Sequence, residues 1–233
     1  MDTLTPVEAL KKQAAEKAVE QVRSGMVLGL GTGSSARYAT IKIGELWQRG
    51  ELTNIVGIPT AEATADLARK YGLPLATLAE YPVIDLAIDG ADEISRGELN
   101  LIKGLGGALL REKMIEMVTN YFIVIADDRK WVDKLATRSP LPVEVVQFGW
   151  QFTARWLETL GCEPALRGGP AQPYVTDNGN FIIDCTFPNG IDEPVGLAQA
   201  LQDRPGVVEH GLFLGMANEA IVAKATGIEI VKK

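Results

Sequence analysis

The chain has 233 residues, 46% of them hydrophobic, and a net charge of −7. That length suffices for one large domain or two small ones with a buried core. The acidity, with no evident basic face, argues against a nucleic-acid partner. Cys162 and Cys185 form no CxxC pair and His210 is the sole histidine, so neither a disulfide framework nor a His-rich zinc or copper site is indicated. A reduced, cytoplasmic setting is the simplest expectation. No membrane partner is expected either, because no apolar run reaches spanning length and the N-terminus reads as a charged helix rather than a signal segment.

Thr5-Pro6-Val7-Glu8 opens the first helix, with an N-cap threonine, proline at the first helical position and glutamate where a capping box needs it. Gly25 is expected to close that helix. Met26 to Leu30 reads as a short buried strand that delivers Gly29-Leu30-Gly31-Thr32-Gly33-Ser34-Ser35-Ala36 into a helix from about Arg37 to Arg49. A glycine loop at a helix N-terminus points N–H groups at an anion, and Thr32, Ser34 and Ser35 add hydroxyls, which makes the loop a candidate phosphate cup. No Gly-Lys-Ser/Thr follows, so it is not a Walker A loop. Gly31-x-Gly33-x-x-Ala36 does satisfy a dinucleotide fingerprint. The next strand, Ile55 to Ile58, ends in Pro59-Thr60 without the acid that would hold a ribose, and a phosphate monoester is the better fit. Thr60 is expected to cap a helix over 61–71 that stops at Gly72, with Leu73 to Leu78 a short strand.

Asp85 to Ile88 and Phe122 to Ala126 are further strands. Strand and helix alternate, which indicates a parallel sheet with helices on both faces and ligand loops at the carboxyl ends of its strands. After Pro140-Leu141-Pro142 the pattern changes: strand 143–148, helix 150–160, strand 163–166, a hairpin from Tyr174 to Thr186 turning at Asp177-Asn178-Gly179, helix 194–202 and strand 207–213. That βαββαβ order is ferredoxin-like. The expected fold is a Rossmann-like, mostly parallel sheet plus an inserted smaller ferredoxin-like α+β domain. The first would take residues 1–134 and 213–233, closing with strands 220–225 and 228–231, and the second residues 135–212.

The densest chemistry runs from Asp85 to Lys113. Its strand breaks into Asp89-Gly90-Ala91-Asp92-Glu93, and carboxylates crowded at one loop repel each other unless a cation or a proton-transfer role accounts for them. Ten residues on comes Lys103, then Gly104-Leu105-Gly106-Gly107 and a helix over 108–118 carrying Glu112. Taken singly, these are a solvated turn, a surface lysine and one charge in a helical Arg-Glu-Lys run. Together they place acids, a lysine and a flexible backbone in one loop-helix unit. Glu112 has Ala108 and Leu109 one turn before it and Ile115 one turn after, with only Glu116 charged among its near neighbours, a setting that suits a general base.

Several segments in order resemble the ribose-5-phosphate isomerase A family: Gly-Thr-Gly-Ser-Ser at 31–35, Asp-Gly-Ala-Asp-Glu at 89–93, Lys-Gly-x-Gly-Gly-Ala-Leu-x-Arg-Glu-Lys at 103–113, Ile125-Ala126-Asp127, Pro140 to Val145 and Val175 to Asn180. The resemblance implies an aldose-ketose isomerase joining ribose 5-phosphate and ribulose 5-phosphate, in the non-oxidative pentose phosphate pathway or the Calvin cycle. It implies Glu112 as base, Asp89 in ring opening and oxygen proton transfer, Lys103 beside the oxyanion and Asp92 on the sugar hydroxyls and orienting Lys103. Thr32, Gly33, Ser34 and Ser35 would hold the phosphate, and Gly90, Ala91, Gly104, Leu105 and Gly106 would line the sugar. Lys11 and Lys130, otherwise plain surface lysines, are raised to substrate contacts by the resemblance alone. It further implies no metal, no organic cofactor and assembly as a homodimer or homotetramer. Leu105 within the glycine run and Ser35 where threonine is common depart from the family pattern. The rivals are a magnesium-dependent phosphotransfer or hydrolytic enzyme using Asp89, Asp92 and Glu93, and a non-catalytic sugar-phosphate sensor.

Overall fold

The structure, a computed structural model, describes residues 4–233. Among them the first elements are α1 (Pro6–Val19), β1 (Val27–Leu30), α2 (Ala36–Gln48), β2 (Val56–Pro59), α3 (Glu62–Lys70), β3 (Ile84–Gly90), β4 (Glu93–Ser95) and β5 (Leu101–Ile102). There follow α4 (Leu109–Met117), β6 (Thr119–Asp127), β7 (Trp131–Val132), β8 (Leu141–Val145), α5 (Trp150–Glu158), β9 (Glu163–Leu166) and β10 (Phe181–Thr186). The last are α6 (Pro194–Gln202), β11 (Val207–His210), β12 (Leu212–Phe213), β13 (Glu219–Lys224) and β14 (Gly227–Lys232). They form two compact units. One comprises the described residues through Ala91 with 111–130 and 216–233, the other 92–110 with 131–215.

The first unit is built on a six-stranded sheet in the order β14-β13-β6-β3-β1-β2. Neighbours from β2 to β13 pair parallel, and β14 returns antiparallel. Leu28 and Leu30 of β1 enter a core with Ala14, Ala15 and Ala18 of α1 and Tyr38, Ala39 and Ile43 of α2. Between them Gly29 faces the other way, and a methyl there would lie 2.9 Å from Ile115 Cγ2 of α4. Side chains one residue apart on a strand alternate faces, so helices cover both sides.

α1 starts as its sequence requires. Thr5 Oγ1 accepts the Glu8 N–H at 3.3 Å while the Glu8 carboxylate accepts the Thr5 N–H at 3.0 Å, so orphan donors are satisfied reciprocally. The helix ends at Val19 rather than running to Gly25, which sits at φ +88 and donates to the Thr53 carbonyl at 3.0 Å. Thr60 is not the cap of α3. That position is Ala61, and the Thr60 hydroxyl bonds back to the Leu30 carbonyl at 3.1 Å. The expected strand over 73–78 reduces to one bridge, Leu75 to Gly57.

The second unit contains an antiparallel sheet in the order β11-β8-β10-β9, with α5 after β8 and α6 after β10. This is the ferredoxin-like arrangement, packed around Leu141, Val143, Val145, Leu157, Ile183 and Leu201. A small sheet, β12-β5-β4-β7, accompanies it. The grouping departs from the expected 1–134 and 213–233 segments at 92–110, 131–134 and 213–215, because β4 and β5 bond to β7 and β12 instead of joining the parallel sheet. The expected strand over 207–213 breaks at Gly211 into β11 and β12, which serve different sheets. His210 is buried, and its Nδ1 accepts the Leu212 N–H at 3.3 Å. Among the described residues no helix is long and apolar enough to cross a membrane.

Candidate active site

In the first unit the chain leaves β1 at Gly31, beside Asp89 at the end of β3. A methyl on Gly31 would overlap the Asp89 carboxyl group and lie 2.6 Å from its Cα. Glycine therefore lets the two strand ends approach. Asp89 is 1% exposed, and its Oδ1 accepts the Thr32 N–H at 3.0 Å and the Gly90 N–H at 2.6 Å. Two backbone donors thus orient the carboxylate.

The Thr32 hydroxyl lies 2.6 Å from Thr60 Oγ1 and 2.8 Å from Thr64 Oγ1, while those two hydroxyls donate to the carbonyls of Leu30 and Gly31, each at 3.1 Å. With the Thr60 and Thr64 protons on the carbonyls, the single Thr32 hydroxyl proton can serve one of its two hydroxyl neighbours. Thr32 thereby ties the loop to α3, and its N–H orients Asp89. Ser35 is buried at the N-cap of α2, and the loop's exposed members are Gly33 and Ser34.

Ser34 Oγ accepts a bond from Lys11 Nζ at 2.7 Å. Burial pushes the Lys11 ammonium below the usual lysine value. Asp127 opposes that shift, and Lys130 and Arg129 add to it. Burial tends to raise the Asp127 carboxyl, but Arg129, through Nε at 2.7 Å, Nη2 at 3.1 Å and its N–H at 3.2 Å, holds it below the ordinary value. Lys130 and Arg129 therefore place further positive charge near Lys11 and Ser34.

Glu112 is on α4, which buries charged residues beside Leu109 and Ile115 while exposing two methionines. Glu112, Lys113 and Glu116 are buried, Glu112 at 4% exposure, while Met117 is 71% exposed and Met114 is also exposed. Charges are buried at such cost only where they are partnered or serve the chemistry.

In the second unit Asp92 Oδ2 accepts the Leu105 N–H at 2.9 Å. Lys103 is 2% exposed. Its N–H donates to the Gly211 carbonyl at 3.0 Å and its Nζ lies 5.4 Å from the Phe213 ring centroid. Gly104 and Gly107 have φ of +106 and +83, and the Gly107 N–H closes the turn onto the Gly104 carbonyl at 3.0 Å. These two positions need glycine. Glu93 is structural, since its carboxylate accepts the N–H groups of Ala136, Arg138 and Ser139 at 2.6, 2.7 and 2.6 Å. That engagement takes away the third oxygen ligand of the magnesium reading, and among the described residues no three His, Cys, Asp or Glu side chains are grouped to hold a metal.

The first unit thus brings together Lys11, Thr32 to Ser35, Asp89, Gly90 and Lys130, and also carries Ala91 and Glu112. The second brings together Asp92, Lys103 and the 104–106 loop. Thr64 and Arg167 escape a reading of the sequence. Thr64 lies four residues after Thr60, the spacing of one helical face, but nothing in that spacing points to Thr32.

A parallel sheet whose strand ends carry a phosphate-type loop and oriented acids defines an α/β protein with a small-ligand site. A family profile, ribose 5-phosphate isomerase A (phosphoriboisomerase A), matches residues 56–227. The chain is 51% identical over 231 residues to ribose-5-phosphate isomerase A of Synechococcus sp. (strain JA-3-3Ab), covering 99% of this chain and 100% of that one. It is 53% identical over 230 residues to the probable ribose-5-phosphate isomerase 3, chloroplastic, of Arabidopsis thaliana, covering 96% and 83%. A solved D-ribose-5-phosphate isomerase in complex with phospho-erythronic acid superposes with a TM-score of 0.94 at 42% identity, covering 98% and 100%. The chain belongs to the ribose-5-phosphate isomerase A family.

Proposed function

We infer that this protein interconverts D-ribose 5-phosphate and D-ribulose 5-phosphate. The observation that carries the reading is end-to-end similarity, at 51% identity, to a ribose-5-phosphate isomerase. In the reaction the C2–H bond of the open-chain aldose breaks and its electrons form the C1–C2 double bond as the C1=O π pair moves to O1; the O2 proton then passes to O1, the C2=O bond forms, and the C1–C2 π pair takes the proton back at C1. Glu112 is assigned as the base that takes and returns the carbon proton, a role supported by its burial on α4. Asp89, oriented by two N–H groups, serves ring opening and proton transfer between the oxygens. Lys103, buried and therefore little screened, stabilises the oxyanion. Asp92 meets the sugar hydroxyls and holds the loop at Leu105, with Gly90, Ala91, Gly104, Leu105 and Gly106 lining the sugar. Thr32, Gly33, Ser34, Ser35 and the start of α2 receive the phosphate with Lys11 and Lys130.

No metal or organic cofactor enters this scheme. A cytoplasmic setting, assembly as a homodimer or homotetramer, and division into a catalytic and a ferredoxin-like domain belong to the same proposal. The test is incubation with ribose 5-phosphate in deuterated water containing excess chelator. Ribulose 5-phosphate carrying deuterium at C1 is expected; tight binding without turnover would leave a sensor, and turnover abolished by the chelator would restore the metal reading.

A further inference from the structure

The 103–107 loop is pinned by a side chain that no motif in the sequence reaches. Arg167, just beyond β9, donates from Nη1 to the carbonyls of Gly104 and Leu105, each at 3.0 Å. Its Nε and Nη2 meet Asp184 of β10 at 2.9 and 2.5 Å. The guanidinium lies 5.7 Å from the Tyr174 ring centroid, and a methyl on Gly107 would overlap the Tyr174 hydroxyl. Arg167 is itself anchored, its N–H donating to the Ile182 carbonyl at 2.9 Å and its carbonyl accepting the Tyr174 N–H at 2.8 Å. Only a guanidinium has the planar fork of donors to bridge two carbonyls and a carboxylate at once; an ammonium lacks that geometry.

In a trans peptide the N–H points opposite to the carbonyl of the preceding residue. Fixing the Gly104 carbonyl therefore aims the Leu105 N–H, which meets Asp92 Oδ2 at 2.9 Å. Fixing the Leu105 carbonyl aims the Gly106 N–H away from the guanidinium. Gly106 is exposed, with nothing within 4 Å of where a Cβ would stand. Asp184 balances the charge of Arg167, so the clamp adds little net field beside Lys103.

We propose that Arg167, held by Asp184 and Tyr174, is a positioning residue for the isomerisation: it fixes the 104–106 peptides so that the Gly106 amide is preorganised toward the sugar oxygens of the substrate. This rests on the isomerase reading, and it concerns the chemical step more than binding, because the phosphate is assigned to the loop after β1. The test compares wild type with Arg167→Met, Arg167→Lys and Asp184→Asn by kcat and KM for ribose 5-phosphate, thermal melting, and the Gly106 amide resonance. Both Arg167 variants are expected to lose about 10–100-fold in kcat, the scale of a displacement near 1 Å, with KM within about threefold. The Gly106 resonance is expected to move and to exchange faster. Asp184→Asn, which keeps side-chain volume, is expected to lose several-fold in kcat and carries the test if the Arg167 variants do not fold. Wild-type kcat in folded Arg167→Met or in Asp184→Asn, or a change confined to melting temperature or KM, would overturn the assignment. An inactive wild type would instead sink the isomerase reading on which it rests.

Discussion

Replacing Gly31 with alanine should separate the phosphate loop from Asp89. The methyl would overlap the Asp89 carboxyl group and lie 2.6 Å from its Cα, against about 3.5–4.0 Å for an unstrained carbon pair. One neighbour is backbone, so relief requires β1 and β3 to part by about 1 Å at their carboxyl ends. Overpacking of this kind costs about 1–3 kcal/mol, and at this chain length each kcal/mol lowers Tm by roughly 2–4 °C. The same movement weakens the 3.0 Å bond from the Thr32 N–H to Asp89 Oδ1, and a reacting group displaced by about 1 Å can lose about 100-fold in rate. Gly50→Ala is the control. Its φ is +71 but nothing lies within 4 Å of the new methyl, so it should cost about 1 kcal/mol and leave kcat alone. Thermal unfolding and initial rates of ribulose 5-phosphate formation read both effects. A Gly31→Ala protein with wild-type Tm and kcat would refute the idea that this close approach organises the site.

Glu93→Gln should destabilise the fold by about 2–3 kcal/mol, because an amide presents one acceptor oxygen where the carboxylate serves three N–H groups; chemical denaturation measures it, and unchanged stability would contradict the structural role. Lys11→Met should raise KM about tenfold or more with kcat nearly unchanged, as expected for uniform binding of a remote phosphate. Since Lys11 loses its proton below the ordinary lysine value of 10.5, the wild-type KM should begin to climb before that pH, and the variant should lack the climb. Tyr121 has its phenol pushed up to about 12 by burial, by its hydrogen bond to Glu219 and by that residue's charge. The folded pKa exceeds the ordinary 10.0, so the stabilisation is complete below about pH 10 and is lost as pH rises toward 12. Tyr121→Phe should flatten the stability profile in that window, and an unchanged profile would refute the linkage.

Much of this architecture is legible in the sequence because local rules agree. Thr5-Pro6-Val7-Glu8 specifies its own cap, and the alternation of strands and helices gives the parallel sheet and the ferredoxin-like order. Sequence falls short where the partner is remote along the chain. The acids at 89–93 read as one cluster, yet Glu93 is bound by three amides more than forty residues on. Thr60 carries the chemistry of a helix cap, but the Leu30 carbonyl and Thr32 compete for its hydroxyl and win. Thr64 gives no sign of meeting Thr32 until the fold places it there. Arg167 sits beyond β9, 62 and 63 residues from the two carbonyls it fixes, and no local pattern marks it. The glycine at 25 points to too late an end for α1, because the chain turns after Val19 well before it.

The most direct test is the rate of ribose 5-phosphate isomerisation by wild type and by Glu112→Gln, both in excess chelator, with substrate binding measured alongside. The account predicts that wild type turns over, while the variant binds substrate comparably and loses about 10²–10⁴-fold in kcat, the span of a general base. A folded Glu112→Gln protein that isomerises at the wild-type rate would contradict it.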